Sequence, residues 1–427
     1  MLEKILHFLK KIIPHSFYRF LSPFYHFFLA FLGNLIYFSP SKKLIVIGVT
    51  GTKGKSTTLE LINAILEKAG KKTALFSSLR RKINSFSEPN LSGNTMPGRF
   101  SLQRFFSQAV KAHCQYALIE VTSEGIKAYR HRFIQWDGAL FLNLRPEHLE
   151  AHGSFKAYQK AKGDFFRFVN HSLKSPIYFF INQSDPFASY FKNISLKRKD
   201  SRLFLFSAEE FKKSRLFQKL KNPWLKIDFN LENSAAAVAV AQSQGINERD
   251  ILQALEKFLP LQGRFDFVQK KPFGIMIDYA HTPDSLEKVY QNLKKMGYSQ
   301  LICVLGSAGG GRDKWKRPVM GKIAGSYCQK IILTNEDPYD EDPNSILEDI
   351  EKGFLSMSNS FKLFENYWKI LDRQKAIEKA ISLAKENDVV IITGKGSEPY
   401  LHLKNGVKIP WNEYEVVKKI LNKNAVI

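Results

Sequence analysis

Cysteine is scarce in this chain. Cys114, Cys303 and Cys328 are the only three in 427 residues, widely spaced and without a C-x-x-C pair. That excludes a cysteine-rich zinc site, argues against a disulfide framework and fits a reducing cytosol. Acidic side chains are also in deficit, 40 against 64 Lys and Arg, for a formal net charge of +24. Such a balance favours polyanionic partners: nucleic acid, an anionic membrane surface or phosphorylated substrates. The bases are spread along the chain, with one cluster at Lys212, Lys213, Arg215, Lys219 and Lys221. No nucleic-acid-binding motif accompanies them, and no nucleic-acid partner is expected. Long apolar runs are missing too. The least polar stretch, Phe24 to Phe38, is about 15 residues, whereas crossing a bilayer takes roughly 20. No small-residue cleavage site lies between it and Leu44. With Lys4, Lys10 and Lys11 upstream, residues 1–43 read as a hydrophobic, basic helical segment. Two settings stay open for it: an interfacial helix on the inner membrane face, or a helix packed on the next domain. Repeats and low-complexity tracts are absent. The length and 44% hydrophobic content suit two or three cored domains.

The strongest positive signal begins at Leu44. An apolar, β-branched strand to Val49 runs into Gly51-Thr52-Lys53-Gly54-Lys55-Ser56-Thr57, and a helical pattern continues to Leu66. Glycines let backbone N–H groups curl round a phosphate, and the helix N-terminus adds its positive dipole end. Lys55 is placed to reach the β/γ-phosphates and the Ser56 hydroxyl to ligate Mg²⁺. Val49 stands where the longer P-loop pattern has its first glycine, so the match is to the short G-x-x-G-K-[ST] form.

From there strands and helices alternate, the signature of parallel α/β sheets. Tyr116–Val121, Trp136–Leu142 and Ser175–Asn182 read as strands, with a helix over Phe155–Phe168. Lys197–Lys221 reads as an edge hairpin with connecting loops. Helices are expected over Asn233–Gln244 and Glu248–Phe258. The alternation restarts after Gly263-Arg264, with strands at Gly274–Asp278, Leu301–Gly306, Lys330–Thr334 and Val389–Thr393. The expected fold is α/β: residues 44–262 as a P-loop domain with a mostly parallel sheet, then a smaller Rossmann-like domain over 263–427.

Several strand ends carry chemistry, where ligands of parallel α/β sheets gather. Glu120 ends one strand and offers a hard oxygen for Mg²⁺. Asn143-Leu-Arg-Pro-Glu147-His148-Leu-Glu150-Ala-His152-Gly153 comes after another and suits metal or phosphate. Gly309-Gly-Gly-Arg312-Asp313-Lys-Trp-Lys316-Arg317 puts cations on a flexible turn fit for carboxylate or phosphate capture. Asp278-Tyr279-Ala-His281 offers an aromatic face and an imidazole to a nucleotide. Gly394-Lys395-Gly396-Ser397-Glu398 offers a carboxylate to an amine.

Taken in order, these motifs closely resemble the ATP-dependent Mur ligases of peptidoglycan synthesis, most of all the MurE type, from Leu44 to the C-terminus. The resemblance implies a cell-wall enzyme, an ADP-forming carbon–nitrogen ligase that adds an amino acid to a muramoyl-peptide precursor through an acyl phosphate. ATP and two Mg²⁺ ions would serve it, with substrates between the two domains. Gly51, Thr52, Lys53, Gly54, Lys55, Ser56 and Thr57 would hold the phosphates. Ser56, Glu120, His148 and a carbamylated Lys162 would hold the metals, with Lys55 offsetting charge. Asn230, Asn233, Arg264, Tyr279 and His281 would contact the nucleotide. Thr95 and Ser123 would lie on the acceptor side, while Arg312, Asp337 and Glu398 would take the incoming amino acid. A monomer in the cytoplasm is implied, and peripheral membrane contact through residues 1–40 is one of the two settings left open for that segment. Without the resemblance, Lys162 reads as a solvated helix lysine.

Departures from the family pattern narrow the reading. Only residues 1–43 precede the P-loop strand, where the family carries a domain for the UDP moiety. The D-N-P-R motif of diaminopimelate-adding members reads Glu336-Asp337-Pro338-Tyr339 here, so the arginine for the distal carboxylate is missing, which argues against diaminopimelate. Met96 replaces a motif threonine, and Glu124, Glu147 and Glu150 are milder changes. The alternatives are a Mur-type ligase acting on a lipid-linked acceptor and a non-catalytic nucleotide-binding scaffold. The amidating relatives that lack a UDP domain need four cysteines, and folylpolyglutamate synthetases share only the broad fold.

Overall fold

A computed structural model of the protein describes residues 15–92, 94–147, 149–357 and 360–424, with side chains from Phe24 to Lys423. The chain divides into two units, one running to Arg145 and resuming over Phe155–Phe258, the other comprising Pro146–Ser154 and Leu259 onward.

The first described element is helix α1 (His15–Ile36). The strands of the first unit are β1 (Ile45–Thr50), β2 (Thr73–Phe76), β3 (Arg80–Ile83), β4 (Phe86–Pro89), β5 (Tyr116–Glu120), β6 (Gly138–Phe141), β7 (Ile177–Asn182) and β8 (Ser201–Phe206). They form one sheet in the order β4-β3-β2-β5-β1-β6-β7-β8. Only β2–β3 and β3–β4 pair antiparallel. The helices that matter for the site are α2 (Lys55–Lys68), α3 (Arg99–Lys111), α4 (Ser123–Lys127), α5 (Phe155–Asn170) and α6 (Asp228–Ser243). β1 and β5 are buried along nearly their whole length, as the unbroken apolar runs require of central parallel strands. Aromatic side chains fill the layer between sheet and helices: Phe165 and Phe166 of α5 meet Trp136 and Phe179 edge-on or stacked. β1 sits in the middle, so its C-terminal end is flanked on both sides by strands that deliver loops to one place.

The expected hairpin over Lys197–Lys221 is not there. β8 pairs parallel to β7, and two short helices come next, Ala208–Lys213 and Arg215–Lys219. The reason is local: the Ser207 and Ser214 hydroxyls accept from the N–H groups of Glu210 and Phe217, capping each helix. A reading weighted by basic composition overlooked both caps.

The second unit repeats the architecture at smaller scale. The strands of its main sheet are β9 (Asp266–Gln269), β10 (Gly274–Asp278), β11 (Leu301–Leu305), β12 (Lys330–Leu333), β13 (Tyr367–Lys369) and β14 (Val389–Thr393), in the order β13-β12-β11-β14-β10-β9, and Tyr400–His402 and Lys408–Pro410 form a separate antiparallel pair. All pairs in the main sheet are parallel except β9–β10. Helices α7 (Pro283–Lys295), α8 (Lys316–Tyr327), α9 (Pro343–Leu355) and α10 (Arg373–Ser382) cover the sheet. Cys303 on β11 and Cys328 after α8 are joined in a disulfide, with Cα atoms 6.1 Å apart. This corrects the expectation of reduced cysteines. The pairing arises because β11 and the end of α8 lie side by side, which a 25-residue spacing does not announce. Cys114 is a free, buried thiol.

Candidate active site

In the first unit the chemistry gathers where β1 ends. Gly54 precedes α2 with φ +85°, and a Cβ there would lie 2.2 Å from Asn233 Oδ1. Glycine is therefore required twice over, by backbone conformation and by space. Asn143, after β6, holds the loop from the other side. Its Oδ1 accepts from the N–H groups of Thr52 (3.1 Å) and Lys53 (2.9 Å), and its Nδ2 donates to the Lys53 carbonyl. Lys55 Nζ donates to the Gly51 and Thr52 carbonyls at 3.1 and 3.0 Å and lies 3.8 Å from Glu120 Oε1.

Val49 on β1 is paired with Glu120 on β5. That register brings the carboxylate out level with the loop. Ser56 Oγ donates to Glu120 Oε2 at 2.8 Å, and Ser78 N–H donates to the same oxygen at 2.9 Å. The Ser56 and Ser78 hydroxyls are themselves 2.8 Å apart. Ser56 and Glu120 thus form a compact pair of hard oxygens. That donor chemistry fits Mg²⁺, which prefers one or two carboxylates with other oxygens.

Lys162 does not sit in solvent. It is buried on α5, donates from Nζ to the Gly51 carbonyl at 2.8 Å and lies 4.8 Å from the Tyr158 ring centroid. The Tyr158 hydroxyl is 3.2 Å from Thr52 Oγ1, so α5 presses two side chains against the loop. His148 lies outside the described residues. Asn230 and Asn233 are buried on α6. Asn230 donates to the Trp224 carbonyl and accepts from Asn233, whose Oδ1 accepts from Thr58. Thr95 lies on the loop ahead of α3, beside the buried Met96, and Ser123 opens α4.

In the second unit Gly263, with φ +69°, packs so tightly that a Cβ would lie 2.4 Å from the Gly396 carbonyl carbon. This closeness sets Arg264 beside the 394–398 loop, its guanidinium 4.3 Å from the Tyr279 ring centroid. The Tyr279 hydroxyl donates to Glu398 Oε1 at 2.8 Å. Lys395 Nζ donates to Asp337 at 3.0 and 2.9 Å and to Glu398 Oε2 at 2.7 Å. Burial works against ionisation of Glu398, but the Lys395 ammonium and the Tyr279 hydroxyl outweigh it and hold the carboxyl below its usual range. Burial likewise disfavours the Lys395 charge, and the two carboxylates more than restore it. Burial, reinforced by the Glu398 charge, raises the Tyr279 hydroxyl well above its ordinary value, so it stays a donor. His281 Nδ1 lies 2.7 Å from the Tyr279 carbonyl and Nε2 lies 3.2 Å from Glu147 Oε1. Arg312 Nη2 donates to the Tyr339 hydroxyl at 3.1 Å, and the Tyr339 ring stacks on His402 at 5.1 Å.

The structure therefore brings Lys55, Ser56, Glu120 and Lys162 to one loop, and Arg264, Tyr279, His281, Arg312, Asp337 and Glu398 to one end of the second sheet. Sequence reading missed Ser78, Asn143 and Tyr158 as supporting groups. It quoted Lys395 within a motif without giving it a role. The signal for Asn143 was its place just after a strand; Ser78 carried none.

A short P-loop with an adjoining carboxylate, together with a second α/β unit carrying a cation-and-carboxylate cluster, defines the class: an ATP-using ligase of two α/β units. The Mur ligase middle domain model matches residues 49–241, and the Mur ligase glutamate ligase domain model matches residues 263–396. A UDP-N-acetylmuramoyl-L-alanyl-D-glutamate–2,6-diaminopimelate ligase from Aquifex aeolicus is 36% identical over 402 residues, covering 91% of this chain and 80% of the relative. A UDP-N-acetylmuramyl-tripeptide synthetase from Borreliella burgdorferi is 37% identical over 413 residues, covering 92% and 80%. Among solved structures, a diaminopimelate ligase of the same name as the Aquifex protein superposes with a TM-score of 0.57 at 27% identity, covering 90% of this chain and 79% of that one. A folylpolyglutamate synthase from Mycobacterium tuberculosis shares the fold, with a TM-score of 0.66 at 14% identity over 86% of this chain and 92% of that one. The chain belongs to the Mur ligase family, whose members are ATP-dependent, ADP-forming carbon–nitrogen ligases.

Proposed function

We propose that this chain is the MurE-type ligase of its cell, joining an amino acid to a UDP-linked muramoyl dipeptide in peptidoglycan synthesis. The observation that carries the reading is 36–37% identity over some 400 residues to relatives bearing those names. The same names favour a UDP-linked acceptor over a lipid-linked one. The organised Ser56–Glu120 pair and the buried Lys162 speak against an idle scaffold.

In this reading residues 44–262 form the ATP-binding domain and 263–427 the amino-acid domain, behind a helical segment over 1–43. The acceptor carboxylate attacks the γ-phosphate of ATP, the bond to the β-phosphate oxygen breaks, and acyl phosphate and ADP result. Gly51 to Thr57 cradle the phosphates and Lys55 offsets charge on the transferred group. Ser56, Glu120, His148 and a carbamylated Lys162 would hold Mg²⁺, which would supply Lewis-acid neutralisation of the phosphate oxygens. Asn230 and Asn233 shape the adenine side, with Arg264, Tyr279 and His281 completing nucleotide contact. Thr95 and Ser123 orient the acceptor. With Asp337 on the same substrate side, Arg312 takes the carboxylate of the incoming amino acid and Glu398 its distal amine. Its α-amine then attacks the acyl carbon, and collapse of the tetrahedral intermediate expels phosphate. The enzyme acts as a monomer in the cytoplasm, with peripheral membrane contact through residues 1–40.

Purified protein given ATP, Mg²⁺, a UDP-muramoyl dipeptide and a panel of amino acids should release phosphate with at least one of them. No turnover with any amino acid, on this acceptor or a lipid-linked one, sinks the ligase reading.

A further inference from the structure

We infer that the outward face of α1 is a docking surface for an anionic lipid bilayer. The inference deepens the peripheral contact proposed above and rests on it. Among the described residues no helix is long and apolar enough to cross a membrane. Yet α1 is not a water-facing helix either. Its inner side is committed: Ala30 is buried, the Tyr37 ring just beyond packs edge-on against Phe100 of α3, and Phe27 and Phe31 meet Phe133. On the side turned away, Phe24, Phe28 and Leu35 recur at spacings of four and seven, the repeat of a single helical face, and Phe38 follows on the turn just beyond the helix. Phe28 and Leu35 are each 58% exposed, and Phe38 is 87% exposed. A helix that borders solvent normally turns charge outward, and this one turns aromatic rings.

Charge decides what covers that face. Between Glu3 and Glu60 the chain has no carboxylate side chain, while Lys4, Lys10, Lys11 and Arg19 precede the stripe in sequence and Lys42 and Lys43 follow it. Lys42 and Lys43 are exposed on the short turn Pro40–Lys43 just after it. A stripe built to bind another protein has no need to exclude acids from so long a stretch. An apolar face whose sequence neighbours carry cations and no acids matches the headgroup and acyl boundary of an anionic membrane, where binding scales with buried apolar area and with lipid charge. Each basic residue near such a surface strengthens binding by about fivefold. The helix would lie in the plane of the interface.

The test is sedimentation of the full chain with vesicles of phosphatidylcholine alone and with added phosphatidylglycerol, at low and high salt, beside the solution ligase assay and analytical ultracentrifugation. The expected result is binding to the anionic vesicles that weakens at least about tenfold with neutral lipid or high salt. The triple variant Phe28→Ser, Leu35→Ser, Phe38→Ser should lose that binding while keeping its turnover on soluble substrates. Equal binding to neutral vesicles overturns the charge argument. A folded protein that binds neither vesicle overturns the inference, as does a dimer that only the triple variant disperses, which would make a second copy the occupant. Ligase turnover without vesicle binding would defeat this inference alone, and vesicle binding without turnover would defeat only the proposed activity.

Discussion

Replacing Lys395 with methionine keeps the length of the side chain and removes its charge. Lys395 is fully buried, and its three ammonium protons are spent on both oxygens of Asp337 and on Glu398. Asp337 is itself buried and also accepts from the His402 N–H. Methionine leaves a buried carboxylate without its cation, a change that costs about 3–5 kcal/mol. The second unit falls in the 150–250-residue class, where each kcal/mol shifts the melting midpoint by about 2–4 °C, so its transition should fall by about 6–20 °C at pH 7. The loss should also depend on pH. The Glu398 carboxyl is held below its ordinary value in the native state. Its pairing therefore stabilises above the unfolded carboxylate pKa and fades as pH falls through the native one. The gap between wild type and variant should narrow from pH 7 to below about pH 4, the ordinary glutamate range. Differential scanning calorimetry across that range reads both quantities. A gap under about 1 kcal/mol at pH 7, or one that stays constant with pH, would refute the ion-pair account.

Gly54→Ala places a Cβ on Asn233 Oδ1 at a left-handed φ, so equilibrium titration with a fluorescent ATP analogue should show nucleotide affinity lost by at least about tenfold. Lys162→Ala removes the donor aimed at the Gly51 carbonyl, and phosphate release should fall by about 10²-fold or more at unchanged fold; full activity would rule out a catalytic role. Tyr339→Phe removes the hydroxyl that holds Arg312, and the KM for the amino acid should rise by about tenfold with kcat little changed. Tyr339→Arg restores a distal cation, so it should raise relative turnover of diaminopimelate in a competition assay.

Fold class was legible because β1, β5 and β14 are unbroken apolar runs ending in glycine, glutamate or serine-rich loops, a pattern that long-range packing does not disturb. The edge of the first sheet was less legible. β3 and β4 carry Arg80, Arg81, Lys82 and Glu88, and this polarity hides the hairpin from a hydrophobic pattern: Arg81 pairs with Glu88 across the strands, while Arg80 and Lys82 pair with Glu60 and Glu67 of α2. The glycine turns were legible from the order of strand, loop and helix, while the roles proposed for their side chains rest on the family resemblance. The supports of those side chains were not legible, since Ser78 reaches Glu120 across 42 positions and Asn143 reaches Lys53 across 90. Lys162 marks the boundary most clearly: helix position and composition argue for solvent, and only the fold of α5 against β1 turns it inward.

Strand register also fixes the carboxylate beside the short P-loop. Val49 occupies the place of the missing glycine, and it is buried in β1 opposite Glu120. A strand residue at that point extends the β1–β5 ladder to the edge of the loop, and parallel pairing then fixes which face each side chain takes. A slip of one residue would turn Glu120 to the other face and carry it away from Ser56. The carboxylate is held by the ladder from below and by the Ser56 hydroxyl and Ser78 N–H from above. Its position owes little to loop flexibility. The oxygen pair proposed for Mg²⁺ is thus set by strand register.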